Sequence, residues 1–379
     1  MADIHGTCDD RFAQVRSVLS DNIDAGHDLG ASVAVYLAGE PVVDIWGGHL
    51  DREKTQPWER DTIINVWSTT KTMAALCCLV LADRGDLDLH GAVAFYWPEF
   101  AAAGKGDIEV RHLLSHTAGL SGWAEPVTIE DLYDWDKATS LLAAQEPWWT
   151  PGTASGYHAI TQGYLLGEVV RRVTGQSIGS FFAEQIAGPL GADFHIGTPP
   201  ACDSRVAPVV PPPPMAEQLG ALDPSTPAAR TFGNPVLDAS VSYDVAWRRA
   251  EIPAANGHGN ARSVATVQSV LACGGELNGV RLLSPAGCEA IFEEQSNGTD
   301  LVLGTPLRFG MGFGLSGDLM PIGARACYWG GWGGSLIIAD LDANLVVSYV
   351  MNRMESGLVG DLRGAGVAMA AFAGAGVGA

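Results

Sequence analysis

Ser68 and Lys71 are the pair whose types and spacing most directly suggest chemistry in this sequence. They lie three residues apart where an apolar helix is predicted to begin, and on a helix this spacing places both side chains on one face. A serine hydroxyl becomes a strong nucleophile when a neighbouring base takes its proton, and a lysine can do so when its surroundings keep it neutral. Because residues 73–82 are apolar throughout, we expect burial to lower the pKa of Lys71.

The start of this helix would also offer backbone N–H groups and a partial positive charge near Ser68, which suit an anionic intermediate. The pattern is short, and it also fits a serine and a lysine on an ordinary surface helix. The chain has four lysines, at positions 54, 71, 105 and 137, and only Lys71 follows a serine at this spacing. The two residues alone leave both interpretations open.

The composition bounds the class of protein. With 379 residues and 47% hydrophobic content, the chain can bury a large core in one domain or two. Its 22 basic and 43 acidic side chains give a formal net charge of −21, which repels nucleic-acid phosphates and anionic lipids. The first residues carry no signal-peptide pattern, and no segment approaches the length of a membrane span. We expect a soluble cytoplasmic protein that has neither nucleic acid nor membrane as a partner.

The cysteines indicate neither a disulfide scaffold nor a structural metal site. They are Cys8, Cys77, Cys78, Cys202, Cys273, Cys288 and Cys327. Their number is odd, and no two have the Cys-x-x-Cys spacing. We expect reduced thiols, with no metal and no other cofactor.

The first part of the chain predicts the elements that lead to Ser68. Residues 9–26 have the pattern of a helix, and residues 32–37 and 42–46 have the pattern of two strands joined by a turn. A polar loop then leads to the helix of Ser68, which Gly85 is expected to close as a C-cap.

Residues 86–255 predict short helices and long loops that contain proline, glycine and tryptophan. Two histidines in this region, His112 and His116, have helical spacing and invite a zinc interpretation. A metalloprotease pair would need a glutamate directly after the first histidine, and Leu113 occupies that position. We therefore expect a helix end and a turn here instead of a metal site.

Ser177 lies in a second motif that could indicate a nucleophile, since residues 175–179 match the pattern Gly-x-Ser-x-Gly. In hydrolases this motif exposes its serine on a sharp turn from a strand into a helix. Here it follows residues 161–173, which have the apolar stripe of a helix. We expect Ser177 to be the N-cap of a helix over residues 178–186.

The last part of the chain returns to strands. Residues 208–214 are rich in proline and should be extended, outside any sheet interior. A helix over residues 264–273 is followed by strand patterns at 324–328, 336–339 and 345–351 and by a helix over 359–372.

These elements predict an α+β fold with one antiparallel sheet built from both ends of the chain and flanked by helices. Residues 1–85 and 256–379 would form this α/β domain, and residues 86–255 would form an inserted, mainly helical domain. Clefts between such parts are where ligands usually bind, so we expect the active site there.

Four motifs together resemble those of one enzyme superfamily. They are Ser68-Thr69-Thr70-Lys71, the segment 112–120, Gly156-Tyr157-His158-Ala159, and Trp329-Gly330-Gly331-Trp332-Gly333-Gly334-Ser335. In this order they are similar to the serine hydrolases related to class C β-lactamases and DD-peptidases, and most similar to family VIII carboxylesterases. The resemblance covers about residues 10–355 and implies a β-lactamase/transpeptidase-like fold with the active site between its two domains.

The resemblance also implies a catalytic set. Ser68 would be the acyl-accepting nucleophile, and Lys71 and Tyr157 would share the proton transfers, with Tyr157 giving its proton to the leaving group. Which of the two is the base in the resting enzyme stays open, because coupled groups need not have separate pKa values.

The late glycine-rich motif has two implied roles. The backbone N–H groups of Ser68 and Trp332 would form an oxyanion hole, and Trp329, Gly330 and Gly331 would contact the substrate. Glycine allows a substrate to approach backbone N–H groups closely, as an oxyanion hole requires, although such glycines also fit a tight sheet edge.

Two departures from the β-lactamase pattern narrow the predicted substrate. Ala159 occupies the position of an asparagine, and Trp329 occupies the position of a lysine that helps to bind the substrate carboxylate. The loss of an amide and of a cation disfavours anionic β-lactams and peptide C-termini. We expect a small-molecule substrate that is a neutral, apolar ester with a short acyl group.

Several alternatives stay open at this point. His158 or His258 could act as the base for Ser68 in a Ser-His arrangement. The chain could be a β-lactamase or DD-peptidase of the same fold, an acyltransferase, or a catalytically silent binding or sensor protein. The sequence does not predict the oligomeric state.

Overall fold

The computed structural model describes residues 1–213 and 222–377. Its centre is an antiparallel sheet of nine strands in the order β1-β3-β2-β13-β12-β11-β10-β9-β8. The strands of the chain are β1 Ile4–Cys8, β2 Gly30–Leu37, β3 Glu40–Gly48, β4 Ile64–Asn65, β5 His258–Gly259, β6 Glu276–Leu277, β7 Val280–Arg281, β8 Ser296–Thr299, β9 Pro306–Phe309, β10 Gly314–Leu315, β11 Ala326–Gly330, β12 Leu336–Asp340 and β13 Leu345–Met351. The sheet is therefore built from both ends of the chain, as the sequence predicts.

The sheet is covered on both faces. Every residue of β13 is buried, and successive side chains of a strand point to opposite faces, so neither face of this central strand meets solvent. The helices Ala13–Asp24 and Leu362–Ala375 pack against each other and against the sheet, and the helix Ala261–Ala272 packs against β2, β12 and β13. This continuous burial explains why β2 and β13 are apolar runs instead of alternating patterns.

Helices make up most of the remaining regular structure. The α-helices are Ala13–Asp24, Thr70–Asp83, Val93–Tyr96, Val110–Leu114, Trp135–Ala144, Thr161–Thr174, Ile178–Phe182, Gly188–Leu190, Pro227–Gly233, Val245–Arg249, Ala261–Ala272, Pro285–Glu289 and Leu362–Ala375. In the described part of residues 86–255 no strand joins the nine-stranded sheet. The division into two domains at residues 86 and 255 stays a prediction.

Most predicted elements are present, with shifted ends. The last helix begins at Leu362 and not at residue 359, because the Asp361 side chain accepts the Arg363 and Gly364 N–H groups as an N-cap. The predicted strand at 324–328 is Ala326–Gly330, which places Trp329 inside the strand. Strand β1 and strands β8 to β10 were not predicted, because they are short and carry weak alternation.

The proline-rich segment predicted at residues 208–214 lies outside the nine-stranded sheet as far as it is described. Residues 208–213 have one isolated bridge, between Val210 and Arg353, and Pro214 lies outside the described residues.

In the part of the chain that the structure describes, no helix is both long enough and apolar enough to cross a membrane.

Candidate active site

Ser68 lies at the start of the helix Thr70–Asp83, in a short 3-10 turn formed by Trp67–Thr69. Trp67 has a φ of +48°, a left-handed conformation that is uncommon for a bulky residue. The Thr70 hydroxyl donates to Trp67 O at 2.5 Å and accepts the Gly257 N–H at 2.9 Å, which fixes this turn. Backbone strain of this kind clusters at functional sites, and here it sets the direction of the Ser68 side chain.

The structure brings the three predicted catalytic side chains together. Tyr157 Oη lies 2.5 Å from Ser68 Oγ, and Lys71 Nζ lies 3.2 Å from the same oxygen. Tyr157 comes from the loop before the helix Thr161–Thr174, 89 residues after Ser68 in the chain. Both contacts are short enough for direct proton transfer to or from the serine hydroxyl.

Lys71 is a buried amine that has no carboxylate partner among the residues that the structure describes. Its Nζ also contacts Ala159 O at 2.7 Å and Ala254 O at 2.9 Å, and burial holds the pKa of Lys71 well below its usual value of 10.5. A neutral amine has two N–H bonds and one lone pair. Since carbonyl oxygens only accept hydrogen bonds, a neutral Lys71 would direct both N–H groups at these carbonyls and its lone pair at Ser68 Oγ.

The pKa of Tyr157 is shifted in the opposite direction from that of Lys71. Its side chain is buried, and burial raises the pKa of the Tyr157 phenol above its usual value of 10. The phenol is therefore protonated at neutral pH and donates its hydrogen bond to Ser68 Oγ. Ser68 Oγ thus lies between a protonated phenol and a buried amine whose pKa is lowered.

Residues 112–120, which invite a zinc interpretation from the sequence, hold the Tyr157 segment in place. His116 O accepts the Gly156 N–H at 2.9 Å, and His116 Nδ1 accepts the His158 N–H at 3.0 Å. The His116 ring also packs edge-on against the Tyr157 ring at a centroid distance of 5.0 Å. The His112 Nδ1 accepts the Glu109 N–H at the start of its helix, so this histidine is part of a helix cap.

The two segments predicted to supply an oxyanion hole, at Ser68 and at Trp332, approach each other closely. Within the described residues, neither the Ser68 N–H nor the Trp332 N–H donates to a backbone or side-chain acceptor. A Cβ atom at Gly331 would lie 2.3 Å from Val66 O, so only glycine permits this approach. Ser335 joins the segments, because its hydroxyl donates to Val66 O at 2.9 Å.

A pocket of about 500 Å³, its open mouth included, lies beside Ser68. It is lined by Trp67, Ser68, Tyr157, Ala159, Ile160, Thr231, Phe232, Pro235, Leu237, Ala255, Trp332 and Leu358. No charged side chain is among these described lining residues. The lining suits an uncharged ligand.

The Beta-lactamase family matches residues 15–370. The chain belongs to this family. A family VIII carboxylesterase of known crystal structure has a TM-score of 0.93 at 44% identity, covering 98% of this chain and 100% of that one. A penicillin-binding protein homologue from Caulobacter crescentus has a TM-score of 0.92 at 41% identity, with 98% and 100% covered. The Esterase/beta-lactamase LipL of Mycobacterium tuberculosis is 36% identical over 372 residues, which are 94% of this chain and 84% of that protein.

Membership of the Beta-lactamase family confirms the α+β fold class and the resemblance drawn from the motifs. The chain is an enzyme of this family, a serine hydrolase with the β-lactamase fold.

Three residues predicted to contact substrate do not line the pocket of this β-lactamase-family chain. Trp329 is 2% exposed and packs behind Tyr157, with a centroid distance of 5.5 Å between the rings. Gly330 packs against Gly360, where a Cβ atom would lie 2.3 Å from Gly360 N. Gly331 shapes the approach to Ser68, as described above. The aromatic side chains that line the pocket are instead Trp67, Tyr157, Phe232 and Trp332.

The lining residues that the sequence did not reveal come from segments distant from Ser68 in the chain. Thr231 and Phe232 lie on the helix Pro227–Gly233, which carries no motif, Leu237 follows that helix, and Leu358 follows β13. Trp67 had a usable signal, because it directly precedes Ser68. The positions of the others depend on how these distant segments fold over the cleft.

The alternative bases do not contact Ser68. The His158 ring bonds Gly156 O through Nδ1 at 2.7 Å and accepts the Leu120 N–H on Nε2 at 3.1 Å, so both nitrogens are used. Burial lowers the pKa of His158 and that of His258 to about 3. His258 Nδ1 lies 2.8 Å from Asn256 O.

Ser177 is an N-cap, as predicted. Its side chain accepts the Ser180 N–H at 3.3 Å and its hydroxyl donates to Glu251 at 2.6 Å. The helix that it caps, Ile178–Phe182, continues as a π-helical turn over Ala183–Ala187.

Proposed function

We propose that this β-lactamase-family chain is a carboxylesterase that hydrolyses small, short-acyl esters through an acyl-Ser68 intermediate. The observation that carries the proposal is the shared contact of Lys71 Nζ and Tyr157 Oη with Ser68 Oγ beside an uncharged pocket. The first group is poised to accept a proton and the second to donate one. The family VIII carboxylesterase and the Esterase/beta-lactamase LipL, at 44% and 36% identity, support ester hydrolysis.

The geometry suggests the order of the acylation steps. Ser68 Oγ bonds to the ester carbonyl carbon while its proton passes to the Lys71 lone pair, which lies 3.2 Å away. The carbonyl π electrons move to oxygen, and the N–H groups of Ser68 and Trp332 bind the oxyanion. When the intermediate collapses, the bond to the alkoxide breaks and the alkoxide takes the Tyr157 proton. The Lys71 ammonium then returns a proton to Tyr157.

Deacylation repeats these steps in reverse with water in place of the alcohol. Lys71 first takes the proton of Tyr157, and the resulting phenolate accepts a proton from water as the water oxygen bonds to the acyl carbon. Ser68 Oγ then leaves with a proton from the Lys71 ammonium, which restores neutral Lys71 and protonated Tyr157. This cycle assigns the base to neutral Lys71 and the acid to protonated Tyr157. Ser68 and Lys71 come from the proposed domain of residues 1–85 and 256–379, and Tyr157 comes from the inserted residues 86–255.

The pocket supports a neutral substrate. An anionic substrate would lose its hydration on entering and would find no cation among the described lining residues. The hydroxyl groups of Ser68, Tyr157 and Thr231 are polar, and the surrounding side chains are apolar or aromatic. The pocket beside Ser68 is small, which favours a short acyl chain and a small alcohol.

A single mass spectrum tests the covalent step. Brief reaction with p-nitrophenyl acetate, followed by acid quench and peptide mapping, should give an acyl adduct on the peptide that contains Ser68. Ser68→Ala should abolish both the adduct and turnover, whereas Ser177→Ala is the matched serine control and should keep both. Substantial turnover by a correctly folded Ser68→Ala variant would refute the assignment.

A β-lactamase or peptidase activity is the second candidate. The name of LipL includes β-lactamase, and the Caulobacter protein is described as a penicillin-binding protein homologue. Comparison of kcat/KM for a cephalosporin with that for a short-acyl ester separates the candidates, and we expect the ester to be strongly preferred. Product analysis with added alcohol tests acyl transfer, and organophosphonate labelling of Ser68 tests a catalytically silent protein.

A further inference from the structure

A buried carboxyl group lies behind Tyr157, outside both the pocket and the proposed catalytic set. Asp300 has no exposed surface and begins the loop between β8 and β9. Its Oδ1 accepts three backbone N–H groups, from Tyr157 at 3.0 Å and from Val302 and Leu303 at 2.9 Å each. Three donors on one oxygen hold that oxygen in a fixed position, and the Tyr157 backbone is fixed with it.

We propose that Asp300 is a positioning residue for Tyr157, which acts by tying the Tyr157 backbone to the loop between β8 and β9. This inference rests on the proposed role of Tyr157 as the acid for the leaving group. A second bond supports the same junction, because the Leu301 N–H donates to Ser155 O at 2.8 Å. Asp300 does not itself line the pocket, and its hydrogen bond to the Tyr157 backbone is its link to the site.

The loop also forms part of the packing around the phenol. Val302 and Leu307 belong to a small apolar cluster with Tyr157, Phe309 and Trp329, and Leu303 packs against it. The cluster surrounds the ring, whereas Asp300 and His116 fix the backbone on either side of it. A loosened backbone would move Oη, which lies 2.5 Å from Ser68 Oγ, away from its target.

The leaving group of the ester provides a test specific to Tyr157. An alkyl alkoxide needs a proton as it departs, whereas p-nitrophenolate is stable without one. A misplaced Tyr157 therefore slows hydrolysis of alkyl esters more than hydrolysis of p-nitrophenyl esters of the same acid. A general loss of structure lowers both rates by the same factor.

Two variants of Asp300 distinguish the loss of its hydrogen bonds from a general loss of stability. Asp300→Ala removes the acceptor, and we expect kcat/KM for ethyl butyrate to fall at least about tenfold more than that for p-nitrophenyl butyrate. Asp300→Asn keeps an oxygen at Oδ1, and its amide can occupy the place of Oδ2, which has no partner among the described residues. The asparagine variant should keep both values within about threefold of the wild type. If the alanine variant does not fold, Asp300→Glu decides, because its extra methylene displaces the acceptor.

Asp340→Ala is the matched control. Asp340 is 2% exposed, and its Oδ1 likewise accepts two backbone N–H groups, from Asp342 and Ala343, at the end of β12 away from Ser68. It should lose stability without changing the ratio of the two esters. Equal losses for both esters in folded Asp300→Ala, or an asparagine variant as selective as the alanine one, would overturn the inference. Failure of the proposed function would appear instead in the wild type, as the absence of a Ser68 adduct, and would overturn both.

Discussion

The two halves of the candidate site are held by different kinds of structure. Ser68 and Lys71 are three residues apart on one helical segment, so their spacing places both side chains on one face, with Lys71 Nζ 3.2 Å from Ser68 Oγ. Tyr157 is 89 residues from Ser68, lies on a loop, and is held by His116 and Asp300. The first half is set by local geometry and the second by contacts between distant segments.

The difference indicates which substitutions the site should tolerate and which should displace a catalytic side chain. A change on the buried helix that keeps Ser68 and Lys71 in register should leave their contact intact. A change in either segment that holds Tyr157 should move the phenol while the serine and lysine stay in place. The following predictions test whether the halves can be disturbed separately, beginning with the largest effect.

Lys71→Met should disrupt the Ser68–Lys71 half of the site and leave Tyr157 in place. The side chain keeps a similar volume and loses the base, so we expect kcat/KM for a short-acyl ester to fall between about 10² and 10⁴-fold. The Ala159 and Ala254 carbonyls lose a donor, but a buried amine is also removed, so the fold should remain. Circular dichroism and a thermal melt provide the control. A folded variant that retains more than a tenth of wild-type kcat/KM would contradict the role of Lys71 as base.

Tyr157→Phe should break the second half alone. It keeps the ring and its packing and removes the hydroxyl that donates to Ser68 Oγ. We expect a loss of about 10²-fold for alkyl esters and a smaller loss for p-nitrophenyl esters. Steady-state kinetics on the two ester series measures the contrast. Equal losses in both series would mean that Tyr157 does not protonate the leaving group.

How much of the site could be predicted follows the same division. Ser68 and Lys71 could be recognised from spacing, and the role of Ser177 as a cap followed from the helix before it. Tyr157 could be recognised only by resemblance, because no local rule places a loop tyrosine beside a helix start. Asp300 carries no motif at all, since its importance lies in three backbone N–H groups that meet only in the folded chain.

The elements of the fold also differ in how well they can be predicted from the sequence. Long apolar strands such as β2 and β13 and long helices such as Thr161–Thr174 could be predicted, because burial imposes a pattern on the sequence. The edge strands β8 to β10 are two to four residues long, and their pairing is decided by tertiary contacts. The prediction that Trp329 contacts substrate relied on its position in a motif. Its strand instead directs the ring behind Tyr157.

The pH dependence should sharpen the assignment of the base. Burial lowers the pKa of Lys71, and the neutral amine is the active form, so kcat/KM should rise with pH through that pKa. The rising limb should lie below 10.5, the usual lysine value, with a slope of about tenfold per pH unit. His158, with a pKa of about 3, is neutral throughout this range. Lys71→Met should lose the limb, and a limb that persists in this variant would assign it to another group.

Ser177→Ala should have the smallest effect, since it lies in neither half of the site. The change removes an N-cap acceptor and the donor to Glu251, so we expect at most about 1 kcal/mol lower free energy of unfolding. The kcat/KM value and the Ser68 adduct should match the wild type. Urea unfolding and ester kinetics on the same preparation measure both. A large loss of activity at unchanged stability would show that the capped helix positions the catalytic side chains, because Glu251 lies three residues before Ala254, whose carbonyl contacts Lys71.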